Sequence, residues 1–410
     1  MIKSVRQPYS PPNELLLQME NFRQIVNDCI RIGLEANVSS MKRLCSLSYR
    51  QLRKRHQPNN LPSHYYLTAI SKAAGILASR KKSIKRGIPT KEPYLKKPLL
   101  VSCYSFKISE NGTLRFSLET NKPINISLNK HTLDAISAVG IQIRSFIITS
   151  DSLSLSVRRD VTNYIPRSFY GIDRNASNLT YGDSKHAVQF GLKKVESIAR
   201  TTRQIVRSFK RNDVRMRKNL FTKYGKRRSE RVEQILHHVS KAIVSDAREK
   251  QAAIVFEDII GLRNLYRKSN FQGKSIRARM NSLPTYEIKR QTVYKAAWEG
   301  VPVIQLTKGE TRGTSKICPV CGERLQEDRF SKVHRRELWC GKCRKWRDRD
   351  LIAVMNISYR GWLRFRQSKG EAGEAMVQEP REEGVLLRVD ASKLSRCNRV
   401  TELTAPPVED

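Results

Sequence analysis

The sequence predicts a multidomain chain of the α/β and α+β classes, and three observations carry that expectation. The apolar periodicity changes twice: it is helical over residues 13–86, has a period of two from about Leu99 to Pro166, and then alternates short buried runs with long helices up to Gln367. Two of the short runs, FYGID (169–173) and AAIVFE (252–257), end in carboxylates. Two Cys-x-x-Cys pairs, Cys318/Cys321 and Cys340/Cys343, stand eighteen residues apart just before a last apolar helix.

Residues 1–13 are polar and contain proline, and read as an initial strand. A helix follows from Asn13, with Leu16, Met19, Phe22, Val26, Cys29 and Ile30 on one face. A second helix covers Ser39 to about His56, and PNNLPS (58–63) breaks the chain, with Ser63 as N-cap of a third. That third helix carries Tyr66, Ile70, Ala73, Ala74 and Leu77 on one stripe. These stripes are core. The opposite faces hold Lys42, Arg43, Arg50, Arg53, Lys54 and Arg55, then Arg80, Lys81, Lys82, Lys85 and Arg86, more cations than a solvated face needs. Arg50, Arg53 and Lys54 are therefore candidate nucleic-acid contacts. From Leu99 to about Pro166, short alternating runs with Asn-Gly at 111–112 predict hairpins of a small antiparallel barrel or sheet.

RSFYGIDRNASNLTYGDSKHAVQFGL (167–192) reads as three consecutive strands, with turns at 174–177 and 182–185. A strongly basic helical pair comes next, broken near Gly225, whose second member lines up Val232, Ile235, Leu236, Val239, Ile243, Val244 and Ala247. AAIVFED (252–258) is a buried strand ending in acids, 261–282 a polar loop, 283–300 a helix, VPVIQL (301–306) another buried strand, and 350–365 the last helix. The loop's Arg263, Arg267, Lys268, Arg277 and Arg279 are further candidate nucleic-acid contacts. After Gln367 the stretch holding GEAGEA, REEG and APP reads as a poorly structured tail.

Charge narrows the partners. Lys+Arg is 78 and Asp+Glu 38, a net +40, which favours a polyanion. A membrane surface fits less well, because the cations are spread over the chain and no run of eighteen apolar residues exists. The N-terminal stretch has no apolar signal core, so the expectation is an intracellular protein. Cys29, Cys45, Cys103 and Cys397 lie in unrelated contexts and are expected to be reduced, Cys29 in a helical core.

The chemistry sits in two clusters. Each Cys-x-x-Cys pair offers two thiolates from one tight turn, and two such turns close a tetrahedral cage for structural Zn2+. His334 lies between the pairs, but four thiolates already fill a cage; Trp339 and Trp346 flank the second pair and read as ribbon packing. Asp173, Glu257 and Asp350 stand at the ends of core elements, where a cleft would lie. Three converging carboxylates suit hard cations such as Mg2+, and two ions roughly 4 Å apart cleave phosphodiesters.

The segments GIDRNASN (171–178), IVFEDIIGL (254–262), TSKICPVCG (314–322) and CGKCRKWRDRDLIAVMNI (340–357) resemble the TnpB family of transposon-encoded proteins, related to the compact type V CRISPR effectors. The resemblance is strong over 167–366, weaker over 1–166, and does not cover the tail. It implies an RNase H-like (RuvC-like) nuclease domain at 167–310 and 345–366, a zinc ribbon at 311–344, a β-barrel-like wedge domain at 1–12 and 87–166, and a helical recognition insert at 13–86; the tail, 367–410, is expected to be disordered from its composition alone. It implies Asp173, Glu257 and Asp350 as ligands of catalytic Mg2+, with Mn2+ able to substitute. The partners it implies are a guide RNA from the element's own end and double-stranded target DNA, bound by a monomer in the cytoplasm or nucleoid of a prokaryotic host. The pattern departs at Ile352 and Val354, where asparagine and alanine are usual, and at Arg174, where a small or apolar residue is commoner; Asp348 is a second candidate for the third acid. A non-cleaving RNA-guided regulator and an RNA-independent transposase are the rival functions.

Overall fold

The structure, a computed structural model, describes residues 1–119, 122–175, 177–209, 214–259, 273, 276–277, 280, 284–327, 336–369 and 385–394. The chain forms two compact units, Met1–Asp160 and Val161–Asp410.

The first unit opens with strand β1 (Ile2–Pro8) and three helices, α1 (Asn13–Glu35), α2 (Met41–Arg55) and α3 (Ser63–Lys85). Their stripes meet as the periodicity demands: Met19, Phe22, Val26 and Cys29 of α1 and Tyr65, Ile70 and Ala73 of α3 are all buried, and Phe22 meets Tyr65 edge-on at 6.5 Å. Cys29 lies in this core, where burial pushes its thiol up to about 11. Helix α3 begins at Ser63 itself with Pro62 before it, so Ser63 is not the N-cap; proline's fixed φ suits the start of a helix. Strands β2 (Leu99–Ser102), β3 (Phe106–Ile108), β4 (Thr113–Glu119) and β5 (Lys122–Ser127) follow, then the short helix α4 (Lys130–Ile136) and strands β6 (Ile141–Thr149) and β7 (Ser152–Arg159). Among the described residues these strands form two separate antiparallel sheets, β1-β7-β6-β2 and β3-β4-β5. Helix α4, capped by the Asn129 side chain on the Thr132 amide, was not legible, being two turns long and without a periodic stripe.

The second unit is built on one six-stranded sheet. Its strands are β8 (Ser168–Arg174), β9 (Asn178–Gly182), β10 (His186–Gly191), β11 (Ala252–Phe256), β12 (Val303–Gln305) and, far down the chain, one at Val385–Asp390; its helices begin with α5 (Lys193–Ser208), α6 (Val214–Glu249) and α7 (Thr285–Glu299). The short helix α8 (Lys308–Thr311), the hairpin β13 (Glu337–Cys340) and β14 (Lys345–Asp348), and helix α9 (Arg349–Lys369) lead to that last strand, β15. The order across the sheet is β12-β11-β8-β9-β10-β15, with β8, β11 and β12 parallel and β8-β9-β10 a meander. One face buries Tyr170, Ile172, Tyr181 and Phe190 against Leu236, Val239 and Ile243 of α6; the other buries Phe169, Ala253 and Val255 against α9.

Two sequence expectations are corrected here. The basic helical pair does not break near Gly225: α6 runs through it, and the break falls between α5 and α6. A mid-helix glycine costs about 1 kcal/mol, less than the burial of Leu236, Val239, Ile243, Val244 and Ala247 gains. The tail is not disordered throughout: β15 pairs with β10 in parallel over six residues, and Ala391 and Leu394 enter the core. The run VLLRVD has strand composition, and β10 would otherwise end the sheet with unpaired backbone groups; low-complexity neighbours hid the run.

Candidate active site and metal centre

Sheet register brings the first two acids together. Ile172 of β8 lies opposite Phe256 of β11, so Asp173 and Glu257 leave the same end of two adjacent parallel strands. The third acid comes from α9, which packs flat on β8 because Gly171 has no side chain. A Cβ there would sit 2.3 Å from the Val354 carbonyl oxygen and 2.8 Å from the Ser358 nitrogen. Gly361 gives the same close approach to Val255 of β11. The Ser358 hydroxyl donates to the Phe169 carbonyl at 2.5 Å, fixing the helix along the strand. The first turn of α9 therefore arrives beside the end of β8.

Asp350 is 3% exposed, and its two oxygens are fully engaged. The Asn175 amide donates to Asp350 Oδ1 at 3.0 Å and to Asp173 Oδ2 at 2.7 Å, bridging the two acids. Asp350 Oδ2 accepts from Asn178 at 3.1 Å, Gln189 at 2.6 Å and the Arg336 guanidinium at 2.5 Å. Asp348 does something else: its Oδ1 accepts from the amides of Asp350 and Leu351, capping α9, while its Oδ2 accepts from Arg388 of β15 at 2.9 Å. Of the two candidate third acids, the structure turns Asp350 toward Asp173.

Burial, then the neighbouring charges of Glu257 and Asp350, push the Asp173 carboxyl up to about 7. Burial also raises Glu257, opposed by the Arg174 guanidinium, whose Nε lies 3.9 Å from Glu257 Oε1. Arg174 itself is buried, donates to the Glu257 carbonyl at 2.9 Å and the Thr285 carbonyl at 3.2 Å, and lies over the Phe256 ring at 5.3 Å. Its place, unusual for the motif, ties β8, β11 and the start of α7 into one frame. A cleft lined by Asn175, Arg336, Arg349 and Asp350 opens beside the acids. The three carboxylates do not lie within 4.8 Å of one another as the cysteines do, but Asp173 feels the charge of both others, and oxygen donors of this kind are what a hard dication takes.

The cysteines form the second cluster. Among the described residues, Cys318, Cys321, Cys340 and Cys343 are the one group of three or more Cys, His, Asp or Glu ligands lying within 4.8 Å of one another. Sγ–Sγ distances are 3.9 Å for Cys318–Cys343 and 3.4 Å for Cys321–Cys340. A tetrahedron with metal–sulfur bonds of about 2.3 Å has edges of about 3.8 Å, so the four thiols fit a structural metal such as zinc. Trp339 and Trp346 face each other across the β13–β14 hairpin with rings 5.3 Å apart. Ile352, the departure from the usual asparagine, lies in the core formed by Cys318, Leu325, Leu338 and Cys340. Asn356 donates to the carbonyls of Thr314 at 2.7 Å and Ile317 at 2.8 Å. Helix α9 thus carries Asp350 and closes the cysteine module at once.

Of the expected nucleic-acid contacts, Arg50, Arg53 and Lys54 stand exposed on α2, Arg50 one turn before the other two. Arg277 is partly buried, while Arg263, Arg267, Lys268 and Arg279 fall outside the described residues, as does His334. Asn175, Asn178, Gln189 and Arg336 were not foreseen. Asn175 and Asn178 lie in the quoted GIDRNASN segment, and Gln189 is the one amide in an otherwise apolar inward stretch of β10; both signals were readable. Arg336, among many arginines, had none.

No described helix is long and apolar enough to cross a membrane. Residues 286–357 match the family described as Cas12f1-like, TNB domain, and residues 18–117 match the uncharacterized protein MJ0013 family. Two proteins of Methanocaldococcus jannaschii are similar to the chain. TnpB-like protein MJ0751 is 28% identical over 229 residues, 53% of this chain and 77% of its own length; TnpB-like protein MJ1635 is 25% identical over 343 residues, 79% and 75%. In fold, the chain resembles the protein in a cryo-EM structure of the Cas12f1-sgRNA-target DNA complex, with TM-score 0.54, 13% identity, and coverage of 84% of this chain and 82% of that one. The resemblance to the TnpB family read from the motifs is borne out by these matches, which also relate the chain to the compact type V effectors.

Proposed function

We propose, from this likeness to TnpB and Cas12f1 proteins, that the chain is an RNA-guided DNA endonuclease of a transposable element that cuts target DNA at a single RuvC-like site. The observation that carries the reading is the convergence of Asp173, Glu257 and Asp350 from β8, β11 and α9 at one end of the parallel strands. The likeness to the protein of the Cas12f1-sgRNA-target DNA complex, together with the net charge of +40, supports RNA and DNA as partners. Guide pairing would then read the target sequence, and protein contacts the duplex shape and a short flanking motif. Arg50, Arg53 and Lys54 of α2, with the arginines and lysine of the 261–282 loop, are the proposed backbone contacts.

Asp173, Glu257 and Asp350 are the proposed ligands of Mg2+, which would supply an activated water and charge stabilisation for the leaving oxygen. The chain's own residues prepare the site. Asn175 holds Asp173 and Asp350 at a common spacing; Asn178 and Gln189 fix the rotamer of Asp350; Arg174 partly offsets the burial that raises the Glu257 carboxyl. Arg336, paired with Asp350 at the mouth of the cleft, lies where a phosphate would enter. The four cysteines are the proposed ligands of Zn2+, with a structural role.

Replacing Asp173 or Glu257 by Ala is expected to abolish cleavage of guide-matched DNA while leaving target binding within about threefold. A Glu257→Ala protein that cuts at the parent rate in Mg2+ overturns the active-site assignment. Parent protein that binds guide and target but never cuts, in Mg2+ or Mn2+, favours the non-cleaving regulator. Protein that acts without any copurifying RNA favours the RNA-independent transposase.

A further inference from the structure

Strand β15 does more than complete the sheet. It docks on β10 through a parallel register from His186/Val385 to Gly191/Asp390, and Leu387, Val389, Ala391 and Leu394 pack on the core of the second unit. Asp390 caps the turn that follows by accepting from the Ser392 amide at 2.9 Å. These contacts anchor the segment independently of the strand's one cation. That cation, Arg388, reaches across to Asp348 Oδ2 at 2.9 Å, while Asp348 Oδ1 accepts from the amides of Asp350 and Leu351. The carboxylate is largely buried, at 18% side-chain exposure, and Arg388 is its one ion-pair partner among the described residues.

We propose that β15 is a clasp on the active site: through Arg388 it holds the Asp348 carboxylate in the rotamer that caps α9, and so sets the orientation of Asp350 in the first turn. A carboxylate held at one oxygen can swing about its Cα–Cβ bond and leave the cap; one held at both oxygens is restrained against that swing. Asp348 and Arg388 are positioning residues in this scheme, neither touching substrate. The clasp acts on the backbone of the first turn, through the amides of Asp350 and Leu351, while Asn175, Asn178 and Gln189 hold the Asp350 side chain.

The test uses full-length protein loaded with guide RNA, in Arg388→Ala, Arg388→Glu and Arg388→Lys forms. Because the strand is anchored by its apolar residues, all three are expected to fold. Hydrogen exchange over 349–353 is expected to quicken about threefold in Arg388→Ala, more in Arg388→Glu, and to return to parental values in Arg388→Lys. Exchange in β11 should not move. Cleavage should slow in the same order with target affinity unchanged. The cleavage readout rests on the nuclease reading, and the exchange readout does not, so the two can fail separately. Parental exchange at 349–353 in Arg388→Glu overturns the clasp. So does equal acceleration in β11, which would mean general destabilisation.

Discussion

Asp173 is the residue whose chemistry most constrains the site. An acid whose pKa rises on folding keeps its proton in the folded chain at a pH where the unfolded chain has lost it. The metal-free protein should therefore lose stability as pH rises from the ordinary 3.8 of an aspartate to about 7, with Glu257 adding in the same direction. The total is a few kcal/mol at most, since each tenfold change in proton affinity is worth roughly 1.4 kcal/mol. Dications should reverse the trend, stabilising more as the carboxyls ionise. Melting curves from pH 4 to 8, with and without Mg2+, measure both slopes, and Asp173→Asn should flatten both. Asp350→Asn should abolish cleavage, whereas Asp348→Asn, which keeps a capping oxygen, should only slow it; single-turnover rates decide between them. At this scale the acids and cysteines were readable because their types and spacings are chemically restrictive. Asn178 and Gln189 were harder, because an amide becomes a site residue only through strands it pairs with, and Arg336 could not be found by type in a chain with 78 Lys and Arg.

Helix α9 decides the geometry at the next scale, since it meets β8 through Gly171, β11 through Gly361, and the cysteine module through Ile352 and Asn356. Gly171→Ala places a methyl carbon against backbone rather than a yielding side chain. It should destabilise the chain by ~1–3 kcal/mol and lower cleavage more than target binding, seen by thermal unfolding beside rate and affinity. Cys340→Ser should cut bound zinc to well below one per chain and suppress cleavage more than it lowers the unfolding temperature of the sheet. Zinc retained in stoichiometric amount with full cleavage would sink the ribbon assignment. The elements themselves were legible wherever a strict period ran long enough: the β8-β9-β10 meander, β11 and α9 all stand within a few residues of expectation. Helix α6 and strand β15 were misread for opposite reasons, one glycine given too much weight and one six-residue run given too little.

Charge governs the behaviour of the whole molecule. A net +40 predicts nucleic-acid binding that weakens steeply with salt; six to ten phosphate contacts would lose about 10³–10⁵ in affinity between 50 and 200 mM. Filter binding of guide RNA across that range measures the slope, and a shallow one would argue that the positive charge is mere solvation. Removing residues 370–410 should destabilise the second unit, because it uncovers the edge of β10 and empties the places of Ala391 and Leu394; ending the chain after 394 should not.

The position of β15 in the chain also has a consequence in time. At about 5–20 residues per second, the stretch from Lys369, where α9 ends, to Asp390 takes some 1–4 s to synthesise. During that interval α9 and its acid already exist, but β10 is an open edge and Asp348 lacks its cation. A nascent chain can fold its two units in order of emergence, yet the helix that carries Asp350 receives its last tether only after β15 has been made. On the nuclease reading proposed above, the final positioning of Asp350 is thereby deferred until β15 has emerged and paired with β10.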